Sequence, residues 1–241
     1  MARDKDVLIY ALDAGSLKEA REWVERLKDS VGIFKIGFQL FLREGPAAVD
    51  MVHEAGGKCF LDLKLHDIPH TVKKASMEAA RMGVCMFNVH ASGGSSMMKS
   101  AAEGAYEEAS RRGLEPPTVI AVTVLTSLGE GALKEIGFSG PPDEVVLHLS
   151  ALASASGLSG VVASAREAEE LRSRMGKDFR IVCPGVRPAG SDKDDQTRTT
   201  TPAEAIVAGA DHIVVGRPIR EAKDPEDAAA RILEDALSGR G

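Results

Sequence analysis

Along this chain, short apolar runs alternate with longer stretches in which apolar residues recur every three or four positions. The short runs have the β-branched content of strands, and the longer ones have the period of amphipathic helices. Residues 6–12 (DVLIYAL) read as a first strand. Ser16 and Glu19 then stand at capping-box spacing, and Leu17, Ala20, Trp23, Val24 and Leu27 fall on one helical face. The pattern predicts further strands over 33–38, 58–64, 85–90, 118–125, 160–163, 179–183 and 212–215. Between them it predicts helices over 46–55, 72–82, 96–112 and 165–175, with a broken helical region over 132–135 and 144–156. Thr201-Pro202-Ala203-Glu204 opens another helix, with an N-cap Thr and Pro at the first helical position. Asp224-Pro225 starts the last helix by the same logic.

Eight such βα units with no linker between them predict a (β/α)8 barrel, one domain over residues 1–241. The chain length of 241 residues suits that fold. A doubly wound sheet would normally advertise a Gly-rich turn after its first strand. Here that turn reads Asp13-Ala14-Gly15-Ser16, and the chain carries neither GxGxxG nor GxxxxGK[ST].

Composition narrows the function. With 30 Lys plus Arg against 36 Asp plus Glu, the net charge of -6 argues against a basic nucleic-acid-binding chain. No apolar run approaches the ~20 residues of a membrane helix, and the charged start MARDKD is not a signal peptide. Cys59, Cys85 and Cys183 are widely spaced with no CxxC, which fits thiols in a reducing cytoplasm.

The predicted third strand carries the chemistry. In FLDLKLHDI, alternation puts Asp62 and Lys64 on one face and Leu61, Leu63 and Leu65 on the other. In a barrel the leucines would pack under the helices. A carboxylate and an ammonium would then point inward near the C-terminal mouth, where barrel enzymes keep their active sites. Lys35 interrupts the apolar run IFKIGF on the second strand, and Asp62 on the next strand is its expected partner. Asp13, just past the first strand, adds a carboxylate at the same mouth or caps a helix. His66 and His70 stand around a proline with no HExxH context, so no metal site is expected.

DLKLHDIPHT resembles the signature of the orotidine 5′-monophosphate decarboxylase family, in its bacterial branch. The similarity extends to LDAG, FKIG, NVHASGG, VTVLTS, CPGVRP with a DQxR loop, and TPAEAIVAGADHIVVGRPI, and so spans nearly the whole chain. Relatives more often carry Asn where this chain has His70. The resemblance implies decarboxylation of orotidine 5′-monophosphate to UMP and CO2 in pyrimidine biosynthesis, with no metal and no organic cofactor. It implies that Lys35, Asp62, Lys64 and Asp67 form an alternating charge array. Lys64 would stabilise the C6 carbanion and deliver the proton to C6. The carbanion's electron pair lies in the ring plane, so its stabilisation must come largely from fixed charges.

Asp67 lies past the expected strand end, so alternation cannot put it on the Asp62 face. As a bare sequence feature it reads as a helix N-terminal charge. The resemblance implies instead that it enters the site of the neighbouring subunit in a homodimer. It further implies substrate contacts from Asp13, Lys35, Thr71, Thr126, Arg187, Gln196, Gly216 and Arg217. Barrels often bind phosphate after strands seven and eight. The polar segment at about 186–200 is therefore either a solvated loop or a lid that grips the phosphate.

Three rivals remain in view, of which a generic sugar-phosphate isomerase barrel has only the phosphate site in its favour. Sister barrels such as keto-gulonate phosphate decarboxylase share a DxKxxD strand but use magnesium, with an acidic ligand on the second strand. Lys35 stands there in this chain and would repel a cation. A non-catalytic nucleotide-binding barrel would be expected to lack a charged residue of the array, and all four are present.

Overall fold

The computed structural model describes residues 4–188 and 200–240. In chain order its strands and helices begin with β1 (Leu8–Ala11), α1 (Leu17–Leu27), β2 (Ile33–Ile36), α2 (Phe38–Glu44), α3 (Ala47–Glu54) and β3 (Lys58–Leu65). Next come α4 (Pro69–Arg81), β4 (Met86–His90), α5 (Gly94–Arg112), β5 (Thr118–Val122), α6 (Glu130–Glu135) and α7 (Pro142–Ala155). The chain continues through β6 (Gly160–Val162), α8 (Ala168–Met175), β7 (Arg180–Pro184), α9 (Pro202–Val207), β8 (His212–Val215), α10 (Arg217–Arg220) and α11 (Pro225–Ser238). The strands close into a parallel barrel in the order of the chain, with β1 bonded to both β2 and β8. This is the (β/α)8 architecture that the alternating pattern predicts.

Contacts concentrate in two compact halves, residues 4–62 with 183–240, and residues 63–182. In the first half β1 is buried throughout, and the Tyr10 ring packs 5.9 Å from Trp23 and 6.4 Å from Phe34. The helices begin where the caps predict. Thr201 and Glu204 form a complete capping box at α9, and the Asp224 carboxylate accepts the Asp227 N–H at α11. At α1 the box is shifted. Ser16 accepts the Glu19 N–H, but Glu19 reaches back to the N–H of Gly15 rather than that of Ser16.

In the second half α4 and α5 pack so closely that a Cβ on Gly104 would lie 2.5 Å from the Lys73 carbonyl oxygen. Glu108 of α5 is fully buried and takes hydrogen bonds from Arg81, Arg111 and Arg112. The arginines beside it hold its carboxyl at about 2, well below the usual carboxylate value.

Of the boundaries that differ from the pattern's prediction, three have a local physical cause. The second strand ends at Ile36, because Gly37 takes the N-cap position and Phe38 already begins α2. The expected single helix over 46–55 is preceded by that extra helix, which Gly45 (φ +61°) ends before Pro46. The fifth strand stops at Val122 rather than 125. There the Thr123 hydroxyl donates to the Val162 carbonyl at 3.0 Å beside the longer Thr123 N–H bond of 3.4 Å to the same oxygen, so a side chain shares the last rung of the ladder. The four-residue α10 was not foreseen, since one turn is too short to show a helical period.

Candidate active site

Each residue singled out above and described by the structure lies at or beyond the C-terminal part of a strand. In the first half, β2 places Lys35 opposite Ala11 of β1 and Phe60 of β3. Asp62 follows Phe60 by two positions and so shares its face of β3. The Lys35 ammonium lies 3.0 Å from the Asp62 carboxylate, and the side chains are only 14% and 12% exposed. The expected ion pair therefore forms. Its apolar neighbours on β2, Ile33, Phe34 and Ile36, are buried, which leaves Lys35 few ways to reach bulk water.

Asp13 does not cap α1, because Ser16 holds that position. The adjacent Leu12 N–H donates to the Lys35 carbonyl at 3.0 Å, which ties the exit of β1 to β2. A Cβ on Gly37 would lie 3.5 Å from the Lys35 ammonium and 3.9 Å from the Asp13 carboxylate, so both charges project over this glycine. Arg220 completes the group. Its guanidinium donates to the Asp13 carbonyl at 3.2 Å and lies 3.9 Å from the Asp13 carboxylate. Sequence reasoning missed Arg220. Its only local signal is its place in the short helix that Gly216 caps and Arg217 begins.

The phosphate-binding candidates also belong to this half. Arg187 is buried three residues beyond β7, and its N–H donates to the Thr200 carbonyl at 3.1 Å. The two ends of the polar segment are thus paired. Gln196 and the rest of 189–199 lie outside the described residues. Gly216 sits directly after β8 at the start of α10, where a Cβ would approach Ala11 Cβ to 3.2 Å, and Arg217 is exposed.

In the second half the exit of β3 departs from strand geometry. Lys64 has φ +47°, the one non-glycine residue with positive φ among those described. Such a conformation costs an L-residue ~1–2 kcal/mol and persists only where the surroundings hold it. Simple alternation therefore does not set the direction of the Lys64 side chain. The Lys64 N–H donates at 2.8 Å to the side-chain oxygen of Asn88, a buried residue of β4. Asn88 was also missed by the sequence reading, since a lone Asn in an apolar strand carries no distinctive spacing.

Asp67 is exposed, and its carboxylate accepts the N–H of Ile68 at 2.7 Å, just before α4. Thr71 is exposed in the first turn of α4. Thr126 does not stand at the end of β5 as expected. It sits in a turn closed by the Leu128 N–H on the Leu125 carbonyl, four residues past the strand, and is exposed there. The His66 and His90 rings pack at 5.5 Å. Among the described residues no group of three or more His, Cys, Asp or Glu side chains is placed to hold a metal ion. The first half supplies paired charges of both signs and arginines beyond its last two strands, and the second half supplies one ammonium on a constrained backbone. That inventory suits an anionic, phosphorylated substrate whose reaction develops negative charge.

Comparison with known proteins bears on which reaction that is. Residues 6–232 match the model of the Orotidine 5′-phosphate decarboxylase / HUMPS family. The chain is 53% identical over 228 residues to the orotidine 5′-phosphate decarboxylase of Syntrophotalea carbinolica, covering 95% of this chain and 93% of that one. It is 48% identical over 241 residues to the enzyme of the same name from Geobacter sulfurreducens, covering 99% and 100%. Among solved structures, orotidine 5′-phosphate decarboxylase from Lactobacillus acidophilus superposes with a TM-score of 0.85 at 37% identity, covering 95% of this chain and 98% of that one.

Proposed function

The chain belongs to the orotidine 5′-phosphate decarboxylase / HUMPS family, and from that premise we propose that it converts orotidine 5′-monophosphate to UMP and CO2 in pyrimidine biosynthesis. The observation that carries this reading is the Lys35–Asp62 ion pair, with Lys64 two residues further along the same strand. In the proposed reaction the bond between C6 and the carboxylate breaks, CO2 leaves, and the electron pair stays on C6. The Lys64 ammonium stabilises that charge and gives a proton to C6. The neutral amine then regains a proton from water. Asp62, paired with Lys35, faces the departing carboxylate. Large accelerations require many kcal/mol, so the array must act together rather than through one contact.

The metal-free character of the proposal rests on Lys35. A magnesium-dependent sister enzyme would need an acidic ligand on β2, whereas here an ammonium already neutralises Asp62 at 3.0 Å. For substrate grip we propose the nucleotide contacts of Asp13, Thr71, Thr126, Arg187, Gln196, Gly216 and Arg217. In this reading the segment at about 186–200 closes over the phosphate of a one-domain barrel, so that remote binding energy organises the charges. We further propose a homodimer in which Asp67 enters the partner's site, consistent with its exposure and its position beyond β3. The proposed setting is the cytoplasm.

The test is to follow loss of orotidine 5′-monophosphate by ultraviolet absorbance in excess EDTA, for the wild type and Lys64→Ala. Turnover that persists in EDTA and collapses in the variant is expected. No turnover by folded wild type would overturn the proposal in favour of a metal-dependent sugar-phosphate reaction, and activity abolished by EDTA would overturn the metal-free reading of Lys35.

A further inference from the structure

The geometry points to Asn88 as the residue that positions Lys64, acting through the backbone rather than on the substrate; this inference rests on Lys64 being the proton donor proposed above. The peptide at Lys64 leaves strand geometry with φ +47°, one residue before β3 ends at Leu65. A lysine does not adopt that conformation unaided, because its Cβ crowds the following carbonyl. Its N–H is taken at 2.8 Å by the side-chain oxygen of Asn88, which is 1% exposed and therefore shielded from competing water.

The support is not confined to one bond. Asn88 and His90 lie two apart on β4 and so share one face. The first holds the peptide of Lys64, and the ring of the second packs 5.5 Å from His66, two residues beyond Lys64. A Cβ added at Gly93 would lie 3.2 Å from the His66 ring, so the turn after β4 closes on the same segment. One face of β4 and the turn that follows it thus grip residues 64–66, and Asn88 is the polar member of that grip. A displacement of about 1 Å in a reacting group costs up to about 100-fold in rate, so a group fixing the Lys64 backbone acts on turnover directly.

Three substitutions separate positioning from plain folding. Asn88→Leu keeps the volume and removes the acceptor. Asn88→Ser keeps polarity but is too short to reach the Lys64 N–H. Asn88→Asp keeps an oxygen in place and should rescue. The expected result is a fall in kcat of about 10- to 100-fold for Asn88→Leu and Asn88→Ser, with KM within about twofold, and substantial recovery in Asn88→Asp. A KM rise at unchanged kcat, or full kcat in Asn88→Leu or Asn88→Ser, would overturn the inference. Amide hydrogen exchange at Lys64 supplies a readout independent of substrate. It should quicken by about tenfold or more in Asn88→Leu and Asn88→Ser, while Ile120, opposite Asn88 on β5, stays protected. Equal exchange at Lys64 in wild type and variants would refute the link between the two residues. Wild-type protein that fails to decarboxylate orotidine 5′-monophosphate would instead sink the proposed reaction, and the exchange data would still decide the Asn88–Lys64 contact.

Discussion

The ammonium of Lys35 on β2 and the carboxylate of Asp62 on β3 lie 3.0 Å apart with little exposure to solvent. Deleting one partner of such a pair strands the other charge, which costs about 3 kcal/mol or more, whereas replacing both with apolar groups is often neutral. Lys35→Met and Asp62→Leu should each lower the melting temperature clearly. The double variant should regain much of the loss yet remain inactive. Thermal melts beside single-turnover assays would check this. A double variant with near-wild-type activity would show that the pair is only structural.

The composite-site proposal predicts complementation between two dead chains. Lys64→Ala and Asp67→Ala should each be inactive alone. Refolded together in equal amounts, half of the dimers would be mixed, and each would hold one intact site, restoring about a quarter of wild-type activity. No recovery on mixing, with dimers verified by light scattering, would place Asp67 in its own chain's site or outside any site.

Glu108 predicts an acid-sensitive second half. Its carboxyl is held at about 2 in the fold by Arg112, Arg111 and Arg81, against an ordinary 4.5. A depressed folded value means the stabilisation is fully present above about 4.5 and drains away as pH falls toward 2. Urea midpoints for the wild type should exceed those of Glu108→Gln at pH 6, and the gap should narrow steadily below pH 4.5. A gap independent of pH would mean that packing, not charge, accounts for the difference.

Gly104→Ala tests the α4–α5 contact. Alanine ordinarily favours a helix interior over glycine by about 1 kcal/mol. Here its Cβ would meet the Lys73 carbonyl oxygen at 2.5 Å, and backbone cannot step aside as a flexible side chain does. The steric term should win, with a net loss of about 1–3 kcal/mol in denaturant unfolding. A stabilised variant would show that the two helices part more easily than their packing implies.

Much of this protein is legible without coordinates. The apolar period marks all eight strands and most helices, and local capping chemistry fixes where α1, α9 and α11 begin. These signals act within a few residues of themselves, so they survive in one dimension. The pairing of Lys35 with Asp62 was also readable, because a lone charge in an apolar strand demands a partner on a neighbouring one. Other features were not. The exit of β3 reads as an ordinary strand, yet Lys64 turns to a positive φ held by Asn88, 24 residues away. Asp13 reads as a possible cap, yet its carbonyl meets Arg220 across 207 residues. Sequence by itself determined the elements, their order and the chemical types brought to the strand ends. Only the tertiary structure decided which backbone groups hold those side chains in place, because partners so distant in the chain meet through the closure of the fold and leave no local period to read.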